Sequence, residues 1–189
     1  MTRRFQLAAL IVPIACAAAV SAQQGPRARA DIKGDGITGT ATFQELPARK
    51  AGADDPKVPG GLKLVEITVE ITGLKPGAHG VHLHAVGKCA APFTSAGGHF
   101  DPGPHAETDP DTNHPFHMGD LPNIVADASG KATFTAVTSR VTLSDGPLSV
   151  FDPDGTAIIV HGNPDQGIPG AAKSGVSGGP RVACGVVTK

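Results

Sequence analysis

Short stretches of the chain alternate apolar and polar residues with the period of two that is typical of half-buried β-strands. Residues 62–71 alternate in this way apart from one slip, and residues 37–43 are rich in strand-forming side chains. These two stretches predict a hairpin. Similar patterns predict further strands at 80–85, 124–126, 131–138, 156–161 and 181–187.

Glycine and proline separate the predicted strands. They form short turns and also fill two long irregular segments, 89–120 and 162–180, while residues 47–61 are predicted to be a long mobile connection. No internal repeat is present. Many short strands joined by turns predict an all-β sandwich or barrel.

Composition agrees with this fold class. The 189 residues include 25 Gly and 17 Pro and no Trp or Tyr, which disfavours long helices, while 40% hydrophobic residues favour a packed core over disorder. A net charge of -1 gives no basic surface for nucleic acid, and no apolar run reaches the roughly 18 residues of a membrane span.

The amino-terminal residues predict export. Arg3 and Arg4 precede an apolar run at 7–20, and Val-Ser-Ala at 20–22 suits cleavage after Ala22, so residues 1–22 are read as a signal peptide. The alternative is a lipoprotein signal, in which Cys16 carries a lipid anchor. The mature protein is then periplasmic or extracellular.

Residues 23–30 are polar and rich in Ala and Arg and are predicted to be a flexible lead-in, with one ordered domain at 31–189. Removal of the leader leaves two cysteines, Cys89 and Cys184. A single disulfide is expected in an oxidising compartment.

Histidines suggest a metal site. His82 and His84 lie two apart in a predicted strand, so their imidazoles point to the same side and are able to bind one metal. A lone His-x-His pair is a weak signal, but other metal-binding residues occur in the irregular segments and at a strand end: His99, His114, His117, Asp120 and His161. Three histidines and one carboxylate suit a closed tetrahedral zinc site.

Several of these motifs together resemble the copper,zinc superoxide dismutase family, particularly its bacterial exported members. The matching stretches, which occur in the family's order, are 33–36, 79–84, 95–102, 117–121, 160–161 and 178–186. The resemblance implies an eight-stranded Greek-key β-barrel or sandwich with two long functional loops, a metal-binding loop and an active-site channel loop. It also implies that Cys89 pairs with Cys184.

The resemblance implies one copper and one zinc per subunit. The implied copper ligands are His82, His84, His99 and His161. The implied zinc ligands are His99, His117, Asp120 and one further histidine, with His99 bridging the two metals. For the further histidine, the compact His-x-x-His-x-x-Asp spacing favours His114, and His105 is the alternative.

The resemblance also implies an activity, in which superoxide is converted to dioxygen and hydrogen peroxide while copper cycles between Cu(II) and Cu(I). Arg181 is expected to attract the superoxide anion beside copper, and Asp165 to accept hydrogen bonds from ligand histidines of both metals. A rival hypothesis is a domain that stores or delivers copper without turnover, and a copper-only dismutase is a third. Family members pair through different faces, so a homodimer is compatible with the sequence.

Overall fold

The structure is a computed structural model, and it describes residues 25–47, 61–103 and 109–189. The predicted signal peptide, Cys16, His105 and most of the 47–61 connection lie outside these residues. No helix within the described residues has the length and apolar character needed to span a bilayer.

The described residues form nine strands and one short 3-10 turn at Thr94–Ala96. The strands are β1 (Arg27–Gly34), β2 (Ile37–Leu46), β3 (Leu64–Thr72), β4 (Gly77–His79), β5 (Val81–His84), β6 (Ile124–Ala126), β7 (Ala132–Thr138), β8 (Ala157–His161) and β9 (Arg181–Val186). The prediction of an all-β protein is confirmed.

Seven strands form one antiparallel sheet in the order β5-β8-β9-β1-β2-β3-β7, and β4 pairs with β6. β4 and β5 are two parts of one extended segment that is interrupted at Gly80. The first part pairs with β6, and the second part pairs with β8. β6 turns directly into β7, where the Asp127 N–H donates to the Lys131 carbonyl at 2.9 Å. The sheet thereby curls and closes as a Greek-key barrel, with eight strands when β4 and β5 are counted together.

One core fills the barrel. It consists of the inward residues of the alternating strands, such as Ile32, Phe43, Ile67, Leu83 and Ile158, which are at most 2% exposed. Each buried side chain of this size contributes roughly 1.5–3 kcal/mol of burial free energy. A second, small cluster surrounds Cys184 and includes Ala96, and Cys89 and Phe93 pack against it.

One prediction about the barrel was wrong. The lead-in was predicted to run to residue 30, but β1 begins at Arg27 and pairs with β2 along its whole length. The small alanines Ala28 and Ala30 face the core while the arginines face solvent, so this stretch does alternate.

Candidate metal centre

β5 directs two histidines out of the core. Val81 and Leu83 point into the barrel and are fully buried, so His82 and His84 point together to the other side of the strand. Both imidazoles are nevertheless 0% exposed. The long loops after β5 and β8 cover them.

The metal-binding loop, residues 85–123, adds to the free edge of β5. The Leu83 N–H donates to the Gly119 carbonyl at 2.9 Å, and the Phe100 N–H donates to the Leu83 carbonyl at 2.8 Å. Gly119 permits this approach, since a Cβ atom there would lie 2.4 Å from the Leu83 oxygen. The loop thereby sets His99 opposite His84, and Asp120 opposite His82.

His161 reaches the same place from the opposite side of β5. It is the last residue of β8, which lies between β5 and β9 in the sheet. A register shift between Val160 and His161 sets His161 opposite Arg181, the first residue of β9. The side chains of Arg181 and His161 are therefore neighbours at one end of the barrel.

Four buried histidines form the first group of candidate ligands, and one ring nitrogen of each lies within 4.8 Å of the others. They are His82, His84, His99 and His161. The second nitrogen of each ring hydrogen-bonds an oxygen at 2.6 to 3.1 Å, on Asp165, Gly97, Asp120 and Gly179 respectively. Because those oxygens accept, the other nitrogens carry lone pairs.

The lone-pair nitrogens are His82 Nδ1 and the Nε2 atoms of His84, His99 and His161. All are buried without a hydrogen-bond partner. Buried polar atoms are rarely left unpaired, and imidazole nitrogens suit both copper and zinc. The donor set therefore fits a soft or borderline metal ion.

A second group lies on the other side of His99 and contains a carboxylate. The Nδ1 atoms of His99, His114 and His117 lie 2.6, 3.3 and 3.1 Å from oxygens of Asp120. Ligand atoms on a tetrahedral zinc with bonds of ~2.0–2.1 Å are about 3.3 Å apart. Three imidazoles and one carboxylate in this arrangement fit zinc.

His99 belongs to both groups. Its ring centre lies 4.2 Å from that of His82 and 5.1 Å from that of His117. Nε2 faces the first group while Nδ1 faces the second. One imidazole therefore stands between two candidate metal positions.

Asp165 connects the two groups behind the ligands. Its carboxylate accepts from His82 Nε2 at 2.9 Å and from His114 Nε2 at 2.7 Å. The Gly167 N–H donates to it as well, at 2.7 Å. The facing atoms of His82, His114 and Asp165 are also close enough together to bind a metal ion. The two hydrogen bonds from the histidines to Asp165 already occupy these atoms.

Burial sets the protonation of His84, His99 and His161 in the first group. Desolvation and then the nearby charged groups hold the pKa of His84 and of His161 well below 6.5, and burial lowers the pKa of His99 to about 4. These rings are neutral near neutral pH, as metal ligands must be.

Carboxylates reverse this effect at His114 in the second group. Burial alone would lower the pKa of His114, but hydrogen bonds to Asp120 and Asp165 outweigh it and raise the pKa to about 9. Hydrogen bonds from the histidines likewise outweigh burial and hold the pKa of Asp120 well below its ordinary range. A positive charge is thus favoured between these carboxylates.

Arg181 is held by the metal-binding loop. Its Nη1 donates to the Phe93 carbonyl at 2.8 Å and its Nη2 to the Gly97 carbonyl at 2.6 Å. The disulfide between Cys89 and Cys184 joins the same loop to β9. This confirms the predicted pairing. The Gly97 carbonyl that holds Arg181 also accepts from His84 Nδ1 at 3.0 Å, so the guanidinium and this candidate ligand share a partner.

The structure brings together every predicted ligand that it describes; His105, the alternative to His114, lies outside the described residues.

Sequence reasoning missed three residues that hold the ligands in place. Asn123 exchanges two hydrogen bonds of 2.8 Å with the backbone of Asp165, and Arg140 donates to the His117 carbonyl at 3.2 Å. The third, Asp111, hydrogen-bonds Gly175 and Ser177, more than sixty residues away. No local sequence pattern indicates such distant contacts.

Comparison with protein families gives one match that covers most of the chain. The family described as copper/zinc superoxide dismutase matches residues 37–187. A superoxide dismutase [Cu-Zn] of Caulobacter vibrioides is 39% identical over 151 residues, which are 71% of this chain and 81% of the relative. Superoxide dismutase [Cu-Zn] 2 of Brassica juncea is 42% identical over 126 residues, 64% of this chain and 78% of the relative.

Solved structures share the fold. A double mutant of a SOD-like protein from Bacillus subtilis superposes with a TM-score of 0.61 at 28% identity, covering 84% of this chain and 95% of that one. The clock protein EA4 superposes with a TM-score of 0.64 at 29% identity, covering 85% and 92% respectively.

Proposed function

The chain belongs to the copper/zinc superoxide dismutase family, and we propose that its two ligand groups divide the metals between them. It is a superoxide dismutase with copper and zinc as cofactors. The proposed copper ligands are His82, His84, His99 and His161. The proposed zinc ligands are His99, His114, His117 and Asp120.

The reaction converts two superoxide anions and two protons to dioxygen and hydrogen peroxide, so that one anion is oxidised and the other reduced. When bound, copper supplies the one-electron chemistry by alternating between Cu(II) and Cu(I), and zinc supplies a fixed charge that is redox-inert. The protein's own residues have to bind the metals, admit the anion and hold a proton near it.

The observation that carries the assignment is the position of His99. Each of its ring nitrogens faces a different ligand group, one through a free lone pair and the other at 2.6 Å from Asp120. We propose that His99 bridges the metals and that its Nε2 is the atom that gains and loses a proton during turnover. Burial lowers the pKa of this ring to about 4, so near neutral pH the imidazole is neutral and its Nε2 lone pair is free for a metal.

We propose that Arg181 draws the anion to the copper side. Its two hydrogen bonds to the metal-binding loop fix the guanidinium, which remains charged although burial lowers its pKa. It lies opposite His161 and exerts a charge effect on both His84 and His161. A fixed positive charge beside a small opening raises the association rate of an anion.

Metal analysis of His99→Ala beside the wild type tests the bridge. The wild type is expected to bind one copper and one zinc per chain and to disproportionate superoxide. The variant is expected to bind both metals more weakly, by at least ~10-fold, and to lose most activity. Loss of one metal with full retention of the other would contradict the bridge, and a wild type that binds both metals without turnover would favour the copper-storage hypothesis.

The third zinc histidine is tested by a matched pair in the same loop. His114→Ala is expected to lose zinc while it keeps most copper, and His105→Ala is expected to keep both metals. Zinc content after equilibrium dialysis against a competing chelator measures the difference. The assignment is wrong if His105→Ala loses zinc and His114→Ala does not.

We propose that the protein is exported to the periplasm or beyond, with cleavage after Ala22. A disulfide is typical of proteins that fold outside the reducing cytosol, and a bacterial relative is compatible with export. Expression of the full chain in a bacterium with two membranes, followed by fractionation and intact mass measurement, is expected to give a periplasmic protein that begins at Gln23. A lipid on Cys16, or an uncleaved cytosolic chain, would contradict this cleavage site.

We propose a homodimer that uses the surface of β6 and β7. Val125 and Val137 are large apolar side chains on these neighbouring strands, and they are 66% and 54% exposed. Light scattering is expected to give a dimer for the wild type and a monomer for Val137→Lys. Leu62→Lys, at another exposed apolar residue, is the control. A monomeric wild type, or a dimer that survives Val137→Lys, would contradict this surface.

A further inference from the structure

Asp111 ties the metal-binding loop to the channel loop, residues 162–180. It lies three residues before His114 and is 3% exposed. Its carboxylate accepts from the Gly175 N–H at 2.7 Å, from the Ser177 N–H at 3.1 Å and from the Ser177 hydroxyl at 2.8 Å. The Gly170 N–H donates to the Asp111 carbonyl at 2.8 Å. Four hydrogen bonds thus connect one residue to the stretch 170–177.

Backbone hydrogen bonds inside the channel loop hold part of this stretch, since the Ser174 N–H donates to the Ala171 carbonyl at 3.0 Å and the Gln166 N–H to the Val176 carbonyl at 2.9 Å. Residues 162–180 contain no strand or helix, so their N–H groups have no ladder or helical partners. Lys173 and Gly175 have positive φ angles of 62° and 81°. Such a backbone keeps one conformation only when its surroundings hold it. The buried carboxylate of Asp111 supplies that restraint.

The stretch that Asp111 holds continues directly to the copper side. The Gly179 carbonyl accepts from His161 Nδ1 at 3.1 Å, and a Cβ atom on Gly178 would lie 2.7 Å from Cβ of His161. Arg181 follows two residues later. Displacement of 170–179 would therefore move the backbone that packs on His161 and leads into Arg181.

Local hydrogen bonds stabilise the negative charge of Asp111. Burial raises the pKa of this carboxyl, but the hydrogen bonds from Gly175 and Ser177 outweigh burial and leave the pKa below its ordinary value. The nearby His99 ring lowers it further. Asp111 is therefore ionised, and a negative charge lies within electrostatic reach of a site that attracts an anion.

We propose that Asp111 is a positioning residue that holds the channel loop in register with the metal-binding loop, so that a small anion meets a fixed opening beside His161 and Arg181. The proposal rests on the ligand assignment proposed above. It adds a connection between the two loops that does not pass through the Asp165 carboxylate. Asp111 itself contacts neither the metals nor the anion.

A pure charge effect of Asp111 and a positioning role of Asp111 predict opposite changes in kcat/KM for Asp111→Asn. If Asp111 acted only as a charge, its removal would reduce repulsion of the anion and raise kcat/KM at low salt. If Asp111 holds the loop, the amide cannot accept all three hydrogen bonds and presents N–H groups to other donors. The loop is then released, and kcat/KM falls although the protein has become less negative.

The experiment uses copper- and zinc-loaded protein in four forms: wild type, Asp111→Asn, Ser177→Ala and Asp145→Asn. Ser177→Ala removes one hydrogen bond without a change of charge. Asp145 is exposed and lies outside both loops, so its substitution is the charge-matched control. Hydrogen exchange of peptides that cover 170–178, azide affinity of the Cu(II) protein by absorption titration, metal content and kcat/KM are measured.

Asp111→Asn is expected to keep both metals, to exchange amides in 170–178 at least ~10-fold faster, and to lose about 10-fold in kcat/KM and in azide affinity. Ser177→Ala should change in the same direction by a smaller factor, and Asp145→Asn should match the wild type. Faster turnover of Asp111→Asn with unchanged amide exchange would overturn the proposal. The proposal would also be overturned if all four proteins gave the same amide exchange, azide affinity and kcat/KM.

Two outcomes separate this proposal from the ligand assignment. If the wild type itself fails to bind copper and zinc, the assignment fails, whereas the exchange rates of 170–178 still report on the loop contact. If Asp111→Asn does not load zinc, Ser177→Ala decides alone. Unchanged exchange and azide affinity in that variant would overturn the positioning role.

Discussion

At the scale of single residues, the ligands are oriented by the nitrogen that does not face a metal position. His82 donates to Asp165, and His84 and His161 donate to backbone carbonyls of Gly97 and Gly179. Each hydrogen bond selects one tautomer and turns the lone pair of the other nitrogen toward the group. Backbone carbonyls in the two loops therefore set the orientation of two of the ligand histidines.

Gly178 gives a test of this orientation with a matched control. Gly178 and Gly77 have similar positive φ angles of 107° and 117°, but a Cβ atom would meet His161 only at Gly178 and nothing within 4 Å at Gly77. Alanine at either position is expected to cost about 1–3 kcal/mol of stability through the backbone. Only Gly178→Ala should also displace His161, with weaker copper binding and an altered Cu(II) EPR spectrum. Equal copper affinity and EPR spectra for the two variants would contradict the steric argument.

The residues that face the metal positions were predictable, because metal binding needs particular side chains at particular spacings. His82 and His84 share a strand face, and the resemblance supplied the rest. The residues that hold them were not predictable from local pattern. Asn123 and Arg140 read as ordinary loop residues, and only the folded chain brings them to Asp165 and to the carbonyl of His117.

At the scale of the strands, prediction succeeded where side chains are large. β2, β3, β7 and β8 were predicted within a few residues because Ile, Val and Phe mark their inward faces. β1 was not predicted as a strand, because two of its inward residues, Ala28 and Ala30, are small and leave little hydrophobic contrast. β4 has three residues and pairs with an equally short β6, so tertiary contacts rather than propensity define it.

Glu45, near the end of β2, predicts a pH dependence of stability. Its buried carboxylate accepts from the N–H groups of Leu143 and Ser144 at 2.7 and 2.8 Å, and these bonds with the Ser144 hydroxyl outweigh burial and lower its pKa below 4.5. The unfolded chain therefore binds the proton first as the pH falls. This contribution is present above about pH 4.5 and is lost progressively as the pH falls toward the folded pKa.

Denaturant unfolding of metal-free, oxidised protein measures this contribution without interference from metal loss. Glu45→Gln is expected to cost about 1.5–3 kcal/mol near neutral pH. The difference in unfolding free energy between Glu45→Gln and the wild type should become smaller as the pH is lowered to about 3. Glu66→Gln, at an exposed position of β3, is the control and should stay within about 0.5 kcal/mol of the wild type. A gap that does not change with pH would contradict the role of the Glu45 charge.

At the scale of the whole molecule, the barrel is a rigid support and the two long loops form the site. The described residues of the loops form no strand and one short 3-10 turn, so few backbone ladders hold them. Instead they are joined to the barrel and to each other at separate points. These points are the added edge of β5, Asp165, Asp111, Arg140 and the disulfide.

The disulfide is the joint with the largest expected effect on stability. Cys89 and Cys184 are 95 residues apart in the chain. A cross-link that closes a loop of this length restricts the unfolded chain and stabilises the fold by about 4–5 kcal/mol on the chain-entropy argument. In a domain of this size that corresponds to a fall in Tm of roughly 10–20 °C when the bond is removed.

This is tested on metal-free protein by comparing the oxidised wild type with Cys89→Ser/Cys184→Ser and with reduced, alkylated wild type. The two bond-free forms should agree with each other if the bond, and not the new side chain, causes the change. After metal loading, the double variant should also lose activity, because Phe93 and Gly97, whose carbonyls hold Arg181, lie in the loop that the bond anchors. A Tm within a few degrees of the oxidised wild type would mean that the loop contacts alone hold β9 to the metal-binding loop.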